Sequence, residues 1–378
     1  MIRSIQVLST SAAMAFALGS ATAEEAVGFL DGLSYYGDLR LRFEADYDSR
    51  RPDGTMRNDR NRGRVRFRFG LNYEFDSQWK AGVRVRTGSH RSQQSPHLTF
   101  VTDDGPTDDL EFVVDKYFLA YQDDDWNIWV GRNAFPFWKQ HELFWDDDVT
   151  PTGVAASSTH QWAGGDLTGT VGGFYLPDGG HEVHQPMVAG QTKFTKSCGN
   201  IELTVAPGFF YFFAESEPSR YLLNGNGMRD YAIGSFQTRL SSDVNGLPVT
   251  LGADLYKNFE DYSVGEGDPF ITPANKDDDF GYVLSAQVGS IAEQGDWLFA
   301  YYYAYIETFA VNSSYSEDDW MRWGNGPQTR SSDFKGHEIR FAYALRDNLN
   351  IMARWYSTES INTREDGKRF RVDLNWKF

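Results

Sequence analysis

Between residues 60 and 75 the chain reads RNRGRVRFRFGLNYEF, with arginine alternating against bulky apolar residues. Arg62, Arg64, Arg66 and Arg68 take the even positions, and Val65, Phe67 and Phe69 the odd ones. A repeat of two places successive side chains on opposite faces of a β-strand. One face is a cationic ladder and the other is apolar. The pattern recurs in GDLRLRFEADY (37–47), where Leu39, Leu41, Phe43, Ala45 and Tyr47 oppose Asp38, Arg40, Arg42, Glu44 and Asp46. In WKAGVRVRTG (79–88), Trp79, Ala81, Val83 and Val85 oppose Lys80, Gly82, Arg84 and Arg86. Later copies are FGYVLSAQV, WLFAYYYAY, HEIRFAYAL and the terminal KRFRVDLNWKF. About sixteen such segments fit the chain, within a range of roughly fourteen to eighteen. The pattern is weak near 153–163 and near 201–212, where Pro207 interrupts it.

These strands need a setting that accepts one apolar face on each. After the first residues no stretch is apolar enough to cross a bilayer as a helix. Aromatic residues nevertheless make up 16% of a chain that is 24% charged. A transmembrane antiparallel up-and-down β-barrel reconciles the two, because a spanning strand needs only about 9–11 residues with alternate ones apolar. An arginine pointing into lipid near the midplane costs roughly 2–4 kcal/mol. The ladder Arg40, Arg42, Arg62, Arg64, Arg66, Arg68, Arg84 and Arg86 is therefore expected to face a wet lumen as one basic patch. The alternative for any single strand is the solvated face of a soluble sandwich.

Other features support the barrel. MIRSIQVLSTSAAMAFALGSATA has a basic start, an apolar middle and a small-residue end, which marks residues 1–23 as a cleaved signal peptide. A short segment, 24–33, precedes a barrel over 34–378. Short connections (76–78, 122–125, 197–200, 346–348) alternate with long polar ones (48–61, 89–109, 131–156, 257–279, 308–332), the plan of periplasmic turns and extracellular loops. Trp79, Trp126, Trp297, Trp376 and Phe378 would form one aromatic girdle at the turn end. The excess of 53 Asp and Glu over 36 Lys and Arg argues against a nucleic-acid partner. The single cysteine, Cys198, excludes an intramolecular disulfide framework.

YYGDLRLRFE, RNRGRVRFRFGLNYEF, GRNAFPFW (131–138) and FRVDLNWKF together resemble the Gram-negative outer-membrane porins usually called putative porins. The resemblance covers the whole mature chain and implies a water-filled pore for small hydrophilic solutes and ions. Phe378, with Trp376, Leu374, Val372 and Phe370 at alternate positions before it, is similar to the signal read by the barrel-assembly machinery. Outer-membrane lipid and lipopolysaccharide would surround the barrel, and a homotrimer is implied by resemblance alone. Porins of this size fold their third long loop into the lumen. Here that loop is 131–155, with Phe135, Phe137, Trp138, Phe144 and Trp145 placed to pack and Glu142, Asp146, Asp147 and Asp148 placed to face the basic patch. Such opposed charges would set a transverse field. The competing outcome is local neutralisation of the patch by Asp38, Glu44 and Glu74.

No catalytic or cofactor motif is present. His181 and His184 lack metal-site context, and Asp103, Asp104 and Asp277–Asp279 lack the spacing of a calcium loop. An outer-membrane lipase or protease would need a His–Asp or His–Ser pair, for which His90 and His97 near Asp103 and Asp104 are the candidates. A sugar-specific channel is the third class, with Trp129, Tyr302 and Tyr356 on inward faces as an aromatic slide. The reading favoured is a channel and not an enzyme.

Overall fold

The computed structural model describes residues 31–89, 92–177, 183–215, 222–265, 267–322 and 331–378. The expected signal peptide of residues 1–23, most of the segment 24–33, and His90 and His181 lie outside the described residues. The strands in chain order are β1 (Leu33–Arg50), β2 (Arg60–Glu74), β3 (Trp79–Thr87), β4 (Leu98–Thr102), β5 (Phe112–Gln122) and β6 (Trp126–Arg132). They continue as β7 (Thr152–Trp162), β8 (Gly165–Pro177), β9 (Val183–Cys198), β10 (Ile201–Phe212), β11 (Tyr231–Val244) and β12 (Leu247–Asn258). The last are β13 (Phe280–Gly289), β14 (Trp297–Ile306), β15 (Phe334–Arg346), β16 (Leu349–Ser360) and β17 (Asp366–Lys377).

Every pairing is antiparallel, and β17 closes on β1, so the sheet is a barrel without free edges. The carbonyl of Phe378 accepts from Gly37 N (2.8 Å), and Phe378 N donates back to the Gly37 carbonyl (3.1 Å). Strand β2 pairs with β3 over its second half and with β4 over its first. Those two pieces are one strand position interrupted by an excursion, which gives a closed barrel of sixteen positions. The weak segments are both strands. Pro207 lies within β10, and the ladder to β9 skips from Val205 to Gly208, as expected where an N–H is missing.

Burial is inverted relative to a water-soluble protein. On β1, Leu41 and Phe43 are 44% and 48% exposed, while Arg42 and Glu44, alternating with them, are 2% and 0% exposed. Only a surrounding apolar phase makes that arrangement favourable. Trp79, Trp126, Trp297 and Trp376 are exposed at the end that carries the tight turns, and Trp162 joins them at the end of β7.

The interior is filled by loops from the opposite end. The connection between β6 and β7, residues 133–151, buries Phe137, Leu143, Phe144, Trp145 and Val149 against inward residues of β8, β10 and β12. Phe144 stacks on Tyr256 (5.2 Å between centroids), and Phe137 meets Phe210 edge-on (5.2 Å). Trp145 lies between Phe135 (4.2 Å) and Tyr315 (5.5 Å). An apolar inner wall on this side is thus the dock that holds the loop across the lumen. Trp138 has its backbone gripped by the Gln191 side chain and its ring 5.4 Å from the Arg239 guanidinium.

Candidate functional site

Inward positions on neighbouring strands form rows across the sheet, and the rows from β15 round to β3 are dominated by guanidinium groups. Direct cross-strand neighbours are Arg340 and Arg354, Arg354 and Arg371, Arg42 and Arg64, Arg40 and Arg66, and Arg68 and Arg86. Like charges placed opposite one another destabilise a sheet, so this wall requires compensating anions. Some come from the wall itself. Asp38 accepts from Arg66 (2.9 Å) and Arg68 (2.7 Å), Glu44 from Arg62, and Asp373 from Arg42 (2.7 Å). A bulge in β5 turns Asp115 inward, where Arg84 donates to it (2.5 Å).

The remaining anions are delivered by two loops. Asp148 of the 133–151 loop pairs with Arg66 (3.3 Å) and Arg68 (2.7 Å). From the connection after β14, Asp319 pairs with Arg371 (2.6 Å) and Arg42 (3.3 Å), and Glu317 lies 3.7 Å from Arg354. The two loops are joined by their backbones, Asp146 N to the Tyr315 carbonyl (2.7 Å) and Glu317 N to the Glu142 carbonyl (2.9 Å). Gln93 and Gln94, in the excursion between β3 and β4, donate to the Ser314 carbonyl (2.7 Å) and the Ser316 carbonyl (2.6 Å). Between the wall and these loops remains a cavity of about 200 Å³ whose lining includes Arg40, Arg66, Arg68, Asp148, Asp319 and Arg354.

The loop carboxyls differ in how they hold their protons. Burial raises Asp148, but Arg66 and Arg68 outweigh it and hold its carboxyl well below the ordinary range. Burial, reinforced by Glu142 and Asp148, pushes Asp146 well up. Burial and then Asp319 raise Asp318 to about 6. His97, buried among Arg42, Arg64 and Arg66, is driven well below its usual value, which disfavours the imidazolium.

Each predicted site residue has a definite place. Arg40, Arg42, Arg64, Arg66 and Arg68 are together on adjoining strands; Arg62 joins them through Glu44, and Arg84 and Arg86 through Asp115. Of the four predicted loop acids, Asp148 bonds the arginines directly. Asp147 instead accepts from Lys139 (2.5 Å), and its backbone N donates to Glu142. Within the segment 131–155, residues 131–132 and 152–155 belong to β6 and β7. Arg340, Arg354, Arg369, Arg371, Glu317, Asp318 and Asp319 also belong to the site and were missed. The arginines had a signal, since KRFRV and EIRF repeat the period of two and closure sets β17 beside β1. Nothing in SEDDW (316–320) distinguishes an inward loop from a solvated one.

The other candidate chemistry is dispersed. Asp103 accepts from Asn61 and Asp104 pairs with Arg322 (2.6 Å), while His97 sits among the arginines. No cluster of three or more metal-ligating side chains occurs among the described residues. Of the expected aromatic slide, Tyr302 lies beneath Arg340 (4.8 Å) and Tyr356 beneath Arg371 (5.8 Å) and beside Trp320. Both are buried, so neither offers a free ring face to the lumen.

Comparison with known proteins agrees with this architecture. The family described as "Putative porin" matches residues 42–194 and 230–378. The high-pH structure of OprB from Pseudomonas putida has a TM-score of 0.57 at 10% identity, covering 93% of this chain and 96% of that one. A BenF-like porin from Pseudomonas fluorescens Pf-5 gives 0.50 at 13% identity, covering 93% and 100%. Salmonella typhi OmpF in complex with daunomycin gives 0.50 at 12%, covering 93% and 99%. At such identities the likeness is one of fold. No curated protein matches the sequence.

Proposed function

The chain belongs to the "Putative porin" family and is an integral β-barrel of the outer membrane, and we propose that it passes small hydrophilic solutes and ions by passive diffusion with selectivity set at the arginine wall. The observation that carries this reading is the meeting of Asp148 with Arg66 and Arg68 inside the barrel. Opposed charges in a narrow, low-dielectric passage orient polar solutes and bias ion entry. Family and fold support a channel rather than an enzyme. Local carboxylates share the neutralisation: Asp38 and Glu44 do so, while Glu74 lies at the turn end of β2 opposite Lys80. The field therefore acts only where guanidinium groups outnumber their partners, as at Arg40, whose side chain bonds the neutral Asn375.

Reversal potentials in planar bilayers under a salt gradient test the reading. Arg64→Glu/Arg66→Glu/Arg68→Glu should shift selectivity toward cations, more at low salt where screening is weaker. A folded triple variant with unchanged selectivity would remove these arginines from the permeation path. Assembly is part of the same proposal. Trp376 and Phe378, whose rings lie 5.1 Å apart at the closing seam, serve as the signal for the barrel-assembly machinery, and the barrel sits in lipopolysaccharide-containing membrane as a homotrimer. Native gels of detergent-extracted protein, with and without Phe378, read both points.

A further inference from the structure

A second cavity, of about 570 Å³, opens toward the turn end of the lumen beneath residues 133–136. That size is within the range of about 300–1,000 Å³ usual for small-molecule sites. Its wall is built unlike the arginine wall. One cross-strand row runs Asn72, Gly82, Phe118, Gly131, Gly153, Phe174 from β2 to β8. The next row toward the turns runs Lys80, Ala120, Trp129, Ala155, Gly172, and the one after it Gln122, Asn127, Ser157, Thr170. Aromatic rings therefore stand between glycines and alanines, with a row of neutral hydrogen-bonding groups beside them.

The glycines explain how the rings lie. A side chain at Gly82 would come within 2.5 Å of the Phe118 ring, and one at Gly70 would strike the Tyr36 ring. The far ends of the Phe118 and Tyr36 rings thus lie over bare backbone of the adjacent strand, a recognised way for an aromatic residue to cover a strand glycine. Both residues line the cavity and are half-buried, so part of each ring is open to it. Asn72, Asn127, Gln78, Gln122 and Asn133 line the same cavity, where the charged Glu74, Asp76, Lys80 and Lys116 balance two against two.

Flat apolar faces ringed by amides suit a ligand that has an apolar face and a hydroxylated edge. A pyranose ring is such a molecule. Its axial C–H groups pack on an aromatic face, and its hydroxyls both donate and accept, as a carboxamide does. A simple anion would instead prefer the guanidinium rows. We propose that this turn-side cavity is a binding subsite for neutral ring sugars, with Phe118 and Tyr36 as platforms and Asn72, Gln122 and Asn127 as hydrogen-bonding partners. This rests on the channel reading, because a solute reaches the cavity only through the lumen. It replaces the aromatic slide of Trp129, Tyr302 and Tyr356 with a set that keeps ring faces free.

Single-channel recordings in KCl test it, with maltose added on the side the turns face and mannitol, an open-chain polyol, as comparison. Maltose should interrupt the current in a concentration-dependent way, and mannitol should not. Phe118→Leu keeps an apolar side chain on Gly82 but removes the ring face. It should weaken the maltose block by about tenfold, the scale of one lost aromatic contact, while KCl conductance stays as in the parent. Asn127→Ala should weaken it less. A folded channel that conducts KCl yet shows equal effects of maltose and mannitol, or an undiminished block in Phe118→Leu, overturns the subsite alone. A folded barrel that carries no current at all overturns the channel reading instead.

Discussion

Two stretches of one inner wall meet opposite demands. From β15 to β3, arginines oppose arginines across the strands, and the repulsion is relieved by Asp148 and Asp319 arriving from loops. From β3 to β8, nearer the turns, glycine, alanine, aromatic and amide side chains predominate, and the charged ones around the cavity, Glu74, Asp76, Lys80 and Lys116, balance in sign. The free space follows the chemistry: about 200 Å³ beside the guanidinium groups and about 570 Å³ beside the aromatic rings. A wall with self-repelling charge draws loops onto itself, and a wall without it stays open. The position of the loops across the lumen is thus fixed by electrostatics on one side and by the apolar dock of β8 to β12 on the other.

Detaching the loop should produce the largest break in this contrast. Trp145 is fully buried between Phe135 and Tyr315, and its Nε1 donates to the Val149 carbonyl (3.0 Å). Trp145→Ala removes a side chain whose loss from a packed interior typically costs about 3–5 kcal/mol. The expected result is an intact barrel with a loosened 133–151 loop, higher single-channel conductance and weaker ion selectivity. Block by maltose should persist, since Phe118 and Asn127 are held by strands. Unchanged conductance would show that this loop is not what narrows the pore.

A smaller effect should come from pH. Asp318 lies near Asp319, Arg64, Arg369 and Arg42 and holds its proton up to about 6. Lowering the pH from about 7 to about 5 neutralises it while the arginines remain charged. Asp148 also remains charged there, because its carboxyl is held below the ordinary range. The lumen then gains net positive charge, so selectivity moves toward anions as the pH falls. Stability moves the same way: the folded state binds this proton more readily than the unfolded one, so acidification through about 6 favours the folded loop. Reversal potentials for the parent and for Asp318→Asn check the assignment. If the shift survives intact in the variant, another group is responsible.

What the sequence reveals depends on whether a feature is written in one strand or made by several. The alternations in GRVRFRF and FRVDLNWKF specify two strands and their faces, because each rests on local periodicity. The aromatic residues of the 133–151 loop also announce packing, since Phe144 and Trp145 have no reason to sit in water. The inward course of 307–322 has no such mark. It depends on Gln93, Gln94 and Glu142 from two other loops meeting its backbone. The roles of Tyr302 and Tyr356 were equally hidden: their faces are inward as expected, but Arg340 and Arg371 from other strands cover the rings.

The smallest expected change is also the finest test of the contrast. At Gly82 an added methyl group would meet only the tip of the Phe118 ring (2.5 Å) and Asn72 Oδ1 (2.7 Å). Both are ends of side chains beside an open cavity, so they yield without moving backbone. Gly82→Ala should therefore destabilise the barrel by only about 1 kcal/mol, the low end of the overpacking range. The same methyl group pushes the end of the ring off the wall, so maltose block should weaken while KCl conductance and ion selectivity hold. Gly173→Ala, on the outer face of β8 with nothing within 4 Å of the new carbon, is the matched control and should change neither. Should Gly82→Ala alter selectivity and spare the maltose block, the neutral wall would be serving ions after all, and the division between the two walls would fall.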